Sequence, residues 1–272
     1  MVDKQAIFNG KPCDRSLAAN RGMAYGDGLY ETLLVNEGKP LWLDEHLARL
    51  LSGATCLRLD IDSVALREDV RAICAPVKGR RVLKILCFRR SGGRGYQPQS
   101  RTAERLLSLW PAPGGELWRH GARLMLCQTR MAMNAQFAGI KHCNRLEQVM
   151  AAEELQGSTC DEGLMLDTSG RVIEGTRSNL FAVSSGKLYT PSLNESGVAG
   201  IMREKILHWA KAQGIPTLQV NMGPSMLQRA DEIFVCNSVF GLWPVLSIGC
   251  LQKSIGPMSR AAQAHFESQF HA

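Results

Sequence analysis

The spacing of apolar positions switches repeatedly between strand-like and helix-like periods. Over 28–35 (GLYETLLV) the pattern predicts a strand, and Asn36-Glu37-Gly38 is a turn signal leading to Pro40-Leu41-Trp42. The period then lengthens. Asp44 is placed as the N-cap of a helix with Leu47, Leu50, Leu51 and Ala54 on one face. Asp62 opens a second helix with Val64, Leu66, Val70 and Ile73. Segments 81–88 and 106–110 read as strands, separated by the glycine-rich loop Ser91-Gly92-Gly93-Arg94-Gly95-Tyr96. Pro111-Ala112-Pro113-Gly114-Gly115 resists both helix and sheet and is the predicted linker. Beyond it, strands are expected over 122–127, 163–167, 179–183, 187–190, 217–221 and 232–236. Helices are expected over 145–155, 200–213 and 258–270. The order predicts an α+β or α/β protein of two domains, 1–111 and 116–272, joined by 112–115.

Composition narrows the class. A length of 272 residues suits two domains with real cores, with no need for a disulfide or metal staple. At 45% apolar and 21% charged residues the chain is globular rather than disordered. The first residues lack the apolar stretch of a signal peptide. The longest near-apolar run, 239–248, is too short to span a membrane and contains Gly241 and Pro244, so a soluble protein with no membrane partner is expected. Nine cysteines form no C-x-x-C pair, and the six histidines show no paired ligand spacing beside them. No zinc site or disulfide framework is expected, and the cytoplasm is the expected compartment. The net charge of +7 fits a nucleic-acid binder or an enzyme for small anions. With 6% aromatic residues and no recognition motif, nucleic-acid binding is the distant alternative.

Four stretches could carry chemistry. Arginine outnumbers lysine by 22 to 10, so each lysine can be weighed singly as a nucleophile. Over 131–142 (MAMNAQFAGIKH) the one formal charge is Lys141. This segment alone fits either a desolvated amine or a surface lysine ahead of the next helix. Lys84, inside a strand, is the other candidate. Glu174 follows Val172-Ile173 and precedes a polar loop, as a carboxylate partner for a ring cation or as part of a hairpin turn. Ser196 to Gly200 run into a helix at Ile201 and Met202, where free backbone N–H groups suit phosphate. Asn237 and Ser238 end a strand and either complete an anion site or make a turn.

Together these segments resemble the fold-type IV pyridoxal-phosphate enzymes, which include branched-chain and D-amino-acid aminotransferases and aminodeoxychorismate lyases. Residues 21–32 (RGMAYGDGLYET) look like the family's N-terminal signature, and Glu45 to Leu50 (EHLARL) look like its arginine helix. Glu174 to Phe181 match E-G-x-x-x-N-L-F, and Gly200 to Arg203 match G-I-T-R with Met202 replacing threonine. Residues 139–149 (GIKHCNRLEQV) and 91–96 (SGGRGY) are similar to the lyase branch. The resemblance implies a small N-terminal two-layer α/β domain, a larger barrel-like C-terminal domain, and a homodimer. It implies that Lys141 carries pyridoxal phosphate and Glu174 meets its ring nitrogen. Arg49, the backbone of Ile201 and Met202, Asn237 and Ser238 would hold the phosphate; losing the threonine hydroxyl leaves the backbone donors. The implied substrate, 4-amino-4-deoxychorismate, is a dicarboxylate. Arg94 is the first candidate to bind it, then Arg90 and Arg145, with Tyr25 a further candidate; Tyr25 and Tyr30 are also able to pack near the cofactor or in the core. A D-amino-acid or branched-chain aminotransferase of the same fold is the alternative.

Overall fold

A computed structural model describes residues 6–9, 11–12, 14–92, 95–114 and 120–271. Short strands Ile7–Phe8 (β1) and Lys11–Pro12 (β2) pair, and helices Arg15–Ala18 (α1) and Arg21–Tyr25 (α2) follow. Gly28–Asn36 (β3), Lys39–Pro40 (β4), Arg80–Arg89 (β5) and Ala103–Pro111 (β6) form an antiparallel sheet in the order β4-β3-β5-β6. Strand alternation divides its faces. Leu29, Leu33, Leu83 and Ile85 pack on Leu47 and Leu50 of helix Leu43–Leu57 (α3), and on Leu66 and Val70 of helix Ser63–Cys74 (α4). From the other face Tyr30, Thr32, Arg80 and Val82 line a cavity.

Asp62 caps α4 as expected, its carboxylate accepting from the N–H of Val64 and Ala65. Val64, placed on the apolar face by the sequence, is instead 68% exposed. The N-cap of α3 is Trp42, not Asp44, and the first helical bond runs from His46 N–H to the Trp42 carbonyl. Tertiary packing fixes this start. The Trp42 indole donates to Gln269 and meets Phe270 edge-on, while Asp44 and Glu45 sit in the first turn, where the helix dipole favours them.

The rest of the described chain is built around a second sheet. Its elements are Ala122–Met131 (β7), Leu146–Glu153 (α5), Glu162–Asp167 (β8), Val172–Gly175 (β9), Asn179–Ser184 (β10) and Lys187–Pro191 (β11). They continue with Ile201–Ala212 (α6), Thr217–Val220 (β12), Pro224–Arg229 (α7), Glu232–Asn237 (β13), Gly241–Ile248 (β14), Leu251–Gln252 (β15) and Pro257–His271 (α8). The strands run β12-β11-β10-β13-β14-β7-β8-β9, with β15 on β14. A further pairing of β9 with β10 closes β10-β13-β14-β7-β8-β9 into a barrel, and its seam opposes Glu174 and Asn179. Each barrel strand gives an interior residue: Leu124, Leu164, Val172, Leu180, Val235 and Val245. On the outside, Phe181 stacks on Phe234 at 5.1 Å and packs with Met202, Ile206 and Trp209 of α6 and Phe266 and Phe270 of α8.

Strand β14 is not among the expected elements, because it contains Pro244, which lacks a ladder donor. The sheet accommodates it at a changeover. Residues 241–244 pair with β13, and pairing with β7 begins at Val245. The architecture is α+β with a barrel. No helix among the described residues is long and apolar enough to cross a membrane.

The capping difference is testable. Asp62→Ala removes two N–H···O bonds and should lower stability by about 1 kcal/mol. Asp44→Ala removes an exposed ion pair with Arg67 and a favourable first-turn charge, but no cap hydrogen bond, and should cost less. Urea denaturation of the two variants gives the order.

Candidate active site

Lys141 stands between two anchored strands of backbone. Its carbonyl accepts from Tyr30 N–H at 3.0 Å, and Cys143 N–H donates to Gly28 at 2.9 Å. On the other side, Gly139 N–H donates to Gly197 at 3.0 Å and the Gly139 carbonyl receives Ala199 N–H at 2.9 Å. Arg145 brackets the lysine by donating to the carbonyls of Ile140 and His142, each at 3.0 Å. The Lys141 side chain is half-buried, with Nζ 4.2 Å from the centre of the Tyr30 ring, and it lines a cavity of about 540 Å³.

Glu174 lines the same cavity from the barrel seam and is 5% exposed. Its Oε2 accepts from Val198 N–H at 2.8 Å and from Asn179 Nδ2 at 3.5 Å. Burial pushes its carboxyl above the usual range, and Arg145, the Val198 N–H and Lys141 offset only part of that. A cation brought into the cavity beside Glu174 would therefore favour its ionised form.

A third wall can receive an anion. Gly200 is the N-cap of α6 and supplies no side-chain cap, so the first N–H groups of the helix have no side-chain acceptor from it. A Cβ at Gly200 would lie 1.9 Å from Asn179 Oδ1, so a larger residue there would displace the Asn179 amide from Val198 and Glu174. Ile201 lines the cavity; the Met202 side chain is in the core, so Met202 can offer only its backbone. Arg49 of α3 also lines the cavity and donates NH1 to the Ala199 carbonyl at 2.9 Å. Its Nε donates to Glu31 Oε1 at 2.8 Å, and its NH2 donates to Glu31 Oε2.

Glu31 is fully buried, and His46 Nδ1 lies 2.6 Å from its Oε2. Burial pushes the Glu31 pKa up, but the Arg49 charge and the bonds from His46 and Arg49 outweigh this and hold it at about 2. Burial also depresses His46, more than its carboxylate neighbour raises it. The neutral tautomer that donates from Nδ1 leaves Nε2 as a buried acceptor without a partner among the described residues.

Asn237 and Ser238 line the cavity, but both are engaged. Asn237 Oδ1 accepts from the N–H of Val239 and Phe240, its Nδ2 donates to the Arg177 carbonyl, and Ser238 Oγ donates to the Thr32 carbonyl at 3.1 Å. Among the expected substrate contacts, Arg145 lines the cavity, and so does Tyr30, expected near the cofactor. Arg90 is exposed and not on the wall, and Tyr25 is turned toward Tyr96, with ring centres 5.5 Å apart. Arg94 lies outside the described residues. Lys84 sits 5.7 Å from the Tyr30 ring without lining the cavity. The sequence reading missed Thr32, Arg80, Gln148 and Arg177 on the wall. For Thr32 and Arg80 the available signal was strand alternation, which puts them on the face of Tyr30 and Val82.

Glu31 makes stability pH-dependent. Its pKa is lower in the folded protein than its ordinary 4.5, so its contribution is complete above that value and is lost as pH falls toward 2. Glu31→Gln should cost on the order of 3 kcal/mol at pH 7 and flatten the decline between pH 4.5 and 2. Denaturant titrations of both proteins at pH 7 and pH 3 measure this.

The family description for amino-transferase class IV matches residues 28–248. The aminodeoxychorismate lyase of Vibrio harveyi is 32% identical over 268 residues, covering 96% of this chain and 98% of its own. The crystal structure of 4-amino-4-deoxychorismate lyase from Pseudomonas aeruginosa matches with a TM-score of 0.89 at 41% identity, over 96% of this chain and 97% of that one. A branched-chain amino acid aminotransferase from T.th., solved with pyridoxamine 5'-phosphate, matches with a TM-score of 0.81 at 25% identity, over 93% and 88%. With a match spanning the small sheet, the lysine segment and the barrel, this chain belongs to the class IV amino-transferase family.

Proposed function

We propose that this protein is a pyridoxal-phosphate-dependent lyase that converts 4-amino-4-deoxychorismate to 4-aminobenzoate and pyruvate, a step toward folate. The observation that carries the reading is the convergence of Lys141 and Glu174 on one cavity, in a chain 41% identical to a 4-amino-4-deoxychorismate lyase. The donor set fits the cofactor: a lysine amine, a buried carboxylate for a ring cation, and an uncapped helix N-terminus beside an arginine for a phosphate. When bound, pyridoxal phosphate supplies the electron sink.

The protein supplies placement and proton transfer. Lys141 Nζ would hold the cofactor in the resting enzyme and, once free of it, is the proton carrier of the site. It then accepts the proton from the amine-bearing ring carbon. The bond from the ring to the enolpyruvyl oxygen breaks with its electron pair on that oxygen, and the ring becomes aromatic. Lys141 returns its proton to the departing enol, which becomes pyruvate. Glu174 would keep the ring nitrogen protonated. Arg49 and the N–H groups of Ile201 and Met202 would hold the phosphate, with Ser238 on the lining of the same cavity. Asn237 acts by fixing the turn that carries Ser238. Arg145 positions Lys141 through its two carbonyl contacts.

The same reading divides the chain at 112–115, where Pro113 and Gly114 border the cavity. It also makes the protein a cytoplasmic homodimer. Among the described residues, the buried thiols of Cys74, Cys87, Cys127 and Cys236 are unpaired, as a reducing compartment keeps them. Leu146, Val149 and Met150 of α5, at least half exposed and close in sequence to Lys141, form the apolar ridge that a second copy would cover.

Incubation with aminodeoxychorismate should yield 4-aminobenzoate. D-alanine or a branched-chain amino acid with 2-oxoglutarate should yield little glutamate; the reverse pattern would favour the aminotransferase alternative. Lys141→Ala should lose both the borohydride-reducible linkage and turnover. Glu174→Ala should keep the cofactor and lose turnover by about 10²- to 10³-fold. Sedimentation of the holoenzyme should give a dimer, and Val149→Asp should shift it toward the single chain.

A further inference from the structure

Arg80 is a cation on the cavity wall that forms no ion pair with an acid among the described residues. It opens β5 opposite Asn36, is half-buried, and lines the cavity with Thr32 and Val82. Its Nε is buried and makes no hydrogen bond within the described structure. The other arginines of the wall are engaged: Arg49 with Glu31, Arg145 with the carbonyls of Ile140 and His142, and Arg177 with Glu162 and the Asp161 carbonyl. A buried N–H donor without an acceptor is unfavourable, so the arrangement suits an acceptor that arrives with the ligand. A carboxylate matches the planar fork of a guanidinium.

We propose that Arg80 binds the ring carboxylate of the substrate and so selects it. This rests on the lyase reading above. In 4-amino-4-deoxychorismate the ring carboxylate stands across the ring from the amine, and the amine must reach Lys141. Lys141 lies at the Tyr30 end of β3, whereas Arg80 lies opposite Asn36. The stretch of strand from Tyr30 to Asn36 spans roughly 20 Å. Lys141 and Arg80 line one cavity, so a ligand held by both extends along the face of β3 between these two ends. Arg80 therefore fits the remote carboxylate better than the enolpyruvyl carboxylate, which hangs from the carbon next to the amine.

The test compares 4-aminobenzoate, which keeps only the ring carboxylate, with the uncharged 4-aminobenzamide. Calorimetric titration of the wild-type holoenzyme should show the acid binding about 10- to 100-fold more tightly than the amide. Arg80→Gln should erase that preference and raise KM for aminodeoxychorismate by a similar factor, with a smaller change in kcat and the same cofactor absorbance. Arg80→Lys should restore part of the preference. The assignment is overturned if the wild type shows no preference for the acid, or if Arg80→Gln retains it. Wild-type enzyme that prefers the acid through Arg80 but releases no 4-aminobenzoate from aminodeoxychorismate would overturn the lyase reading and leave the carboxylate site standing.

Discussion

The backbone of residues 197–200 is the joint on which the site depends. Buried peptide groups must find partners, and this segment finds them in the lysine segment, the barrel seam and α3. Gly197 accepts from Gly139, and Ala199 donates back to it, which fixes the Lys141 segment. Val198 donates to Glu174 and accepts from Asn179, which ties the segment to the barrel seam. Ala199 accepts from Arg49, and Gly200 starts α6. Gly197 adopts φ +88°, and a Cβ there would meet Leu193 at 2.7 Å, so the tight path requires glycine. A shift of this segment would displace the amine, the carboxylate and the arginine together.

Two buried glutamates show how environment separates groups of one type. Glu31 is surrounded by donors, and Arg49 with His46 holds it well below the ordinary range. Its role is structural, aiming Arg49 from α3 across to Ala199. Glu174 has fewer compensating partners, and burial raises it. It is thus suited to a cation delivered by a ligand, whereas Glu31 already has one. Folding satisfies the first carboxylate and leaves the second dependent on what enters the cavity.

Much of the element plan was legible because local rules and packing agree. The strands expected over 28–35 and 179–183 appear as β3 and β10, and Asp62 caps α4. The departures occur where distant residues decide. Trp42 starts α3 because α8, more than two hundred residues later, holds its ring. Strand β14 tolerates Pro244 because its pairing changes partner beside that residue. Lys141, Glu174 and the α6 N-terminus were marked by local sequence, and all meet at one cavity.

By itself, the sequence determined the strand and helix periods, the lone lysine in an uncharged stretch, and the motifs that resemble the family. Those signals are local, and each fits within about a dozen residues. Only the tertiary structure decided which polar groups share a cavity. Glu174 and Asn179 pair because the barrel closes there, and Arg49 reaches Ala199 because the α3 sheet packs beside it. It also separated the arginines: Arg90 is exposed, whereas Arg80, with no motif to mark it, faces inward. Charge is written in the sequence, but whether a charge meets an acid, a carbonyl or open space is settled by contacts that chain order does not encode.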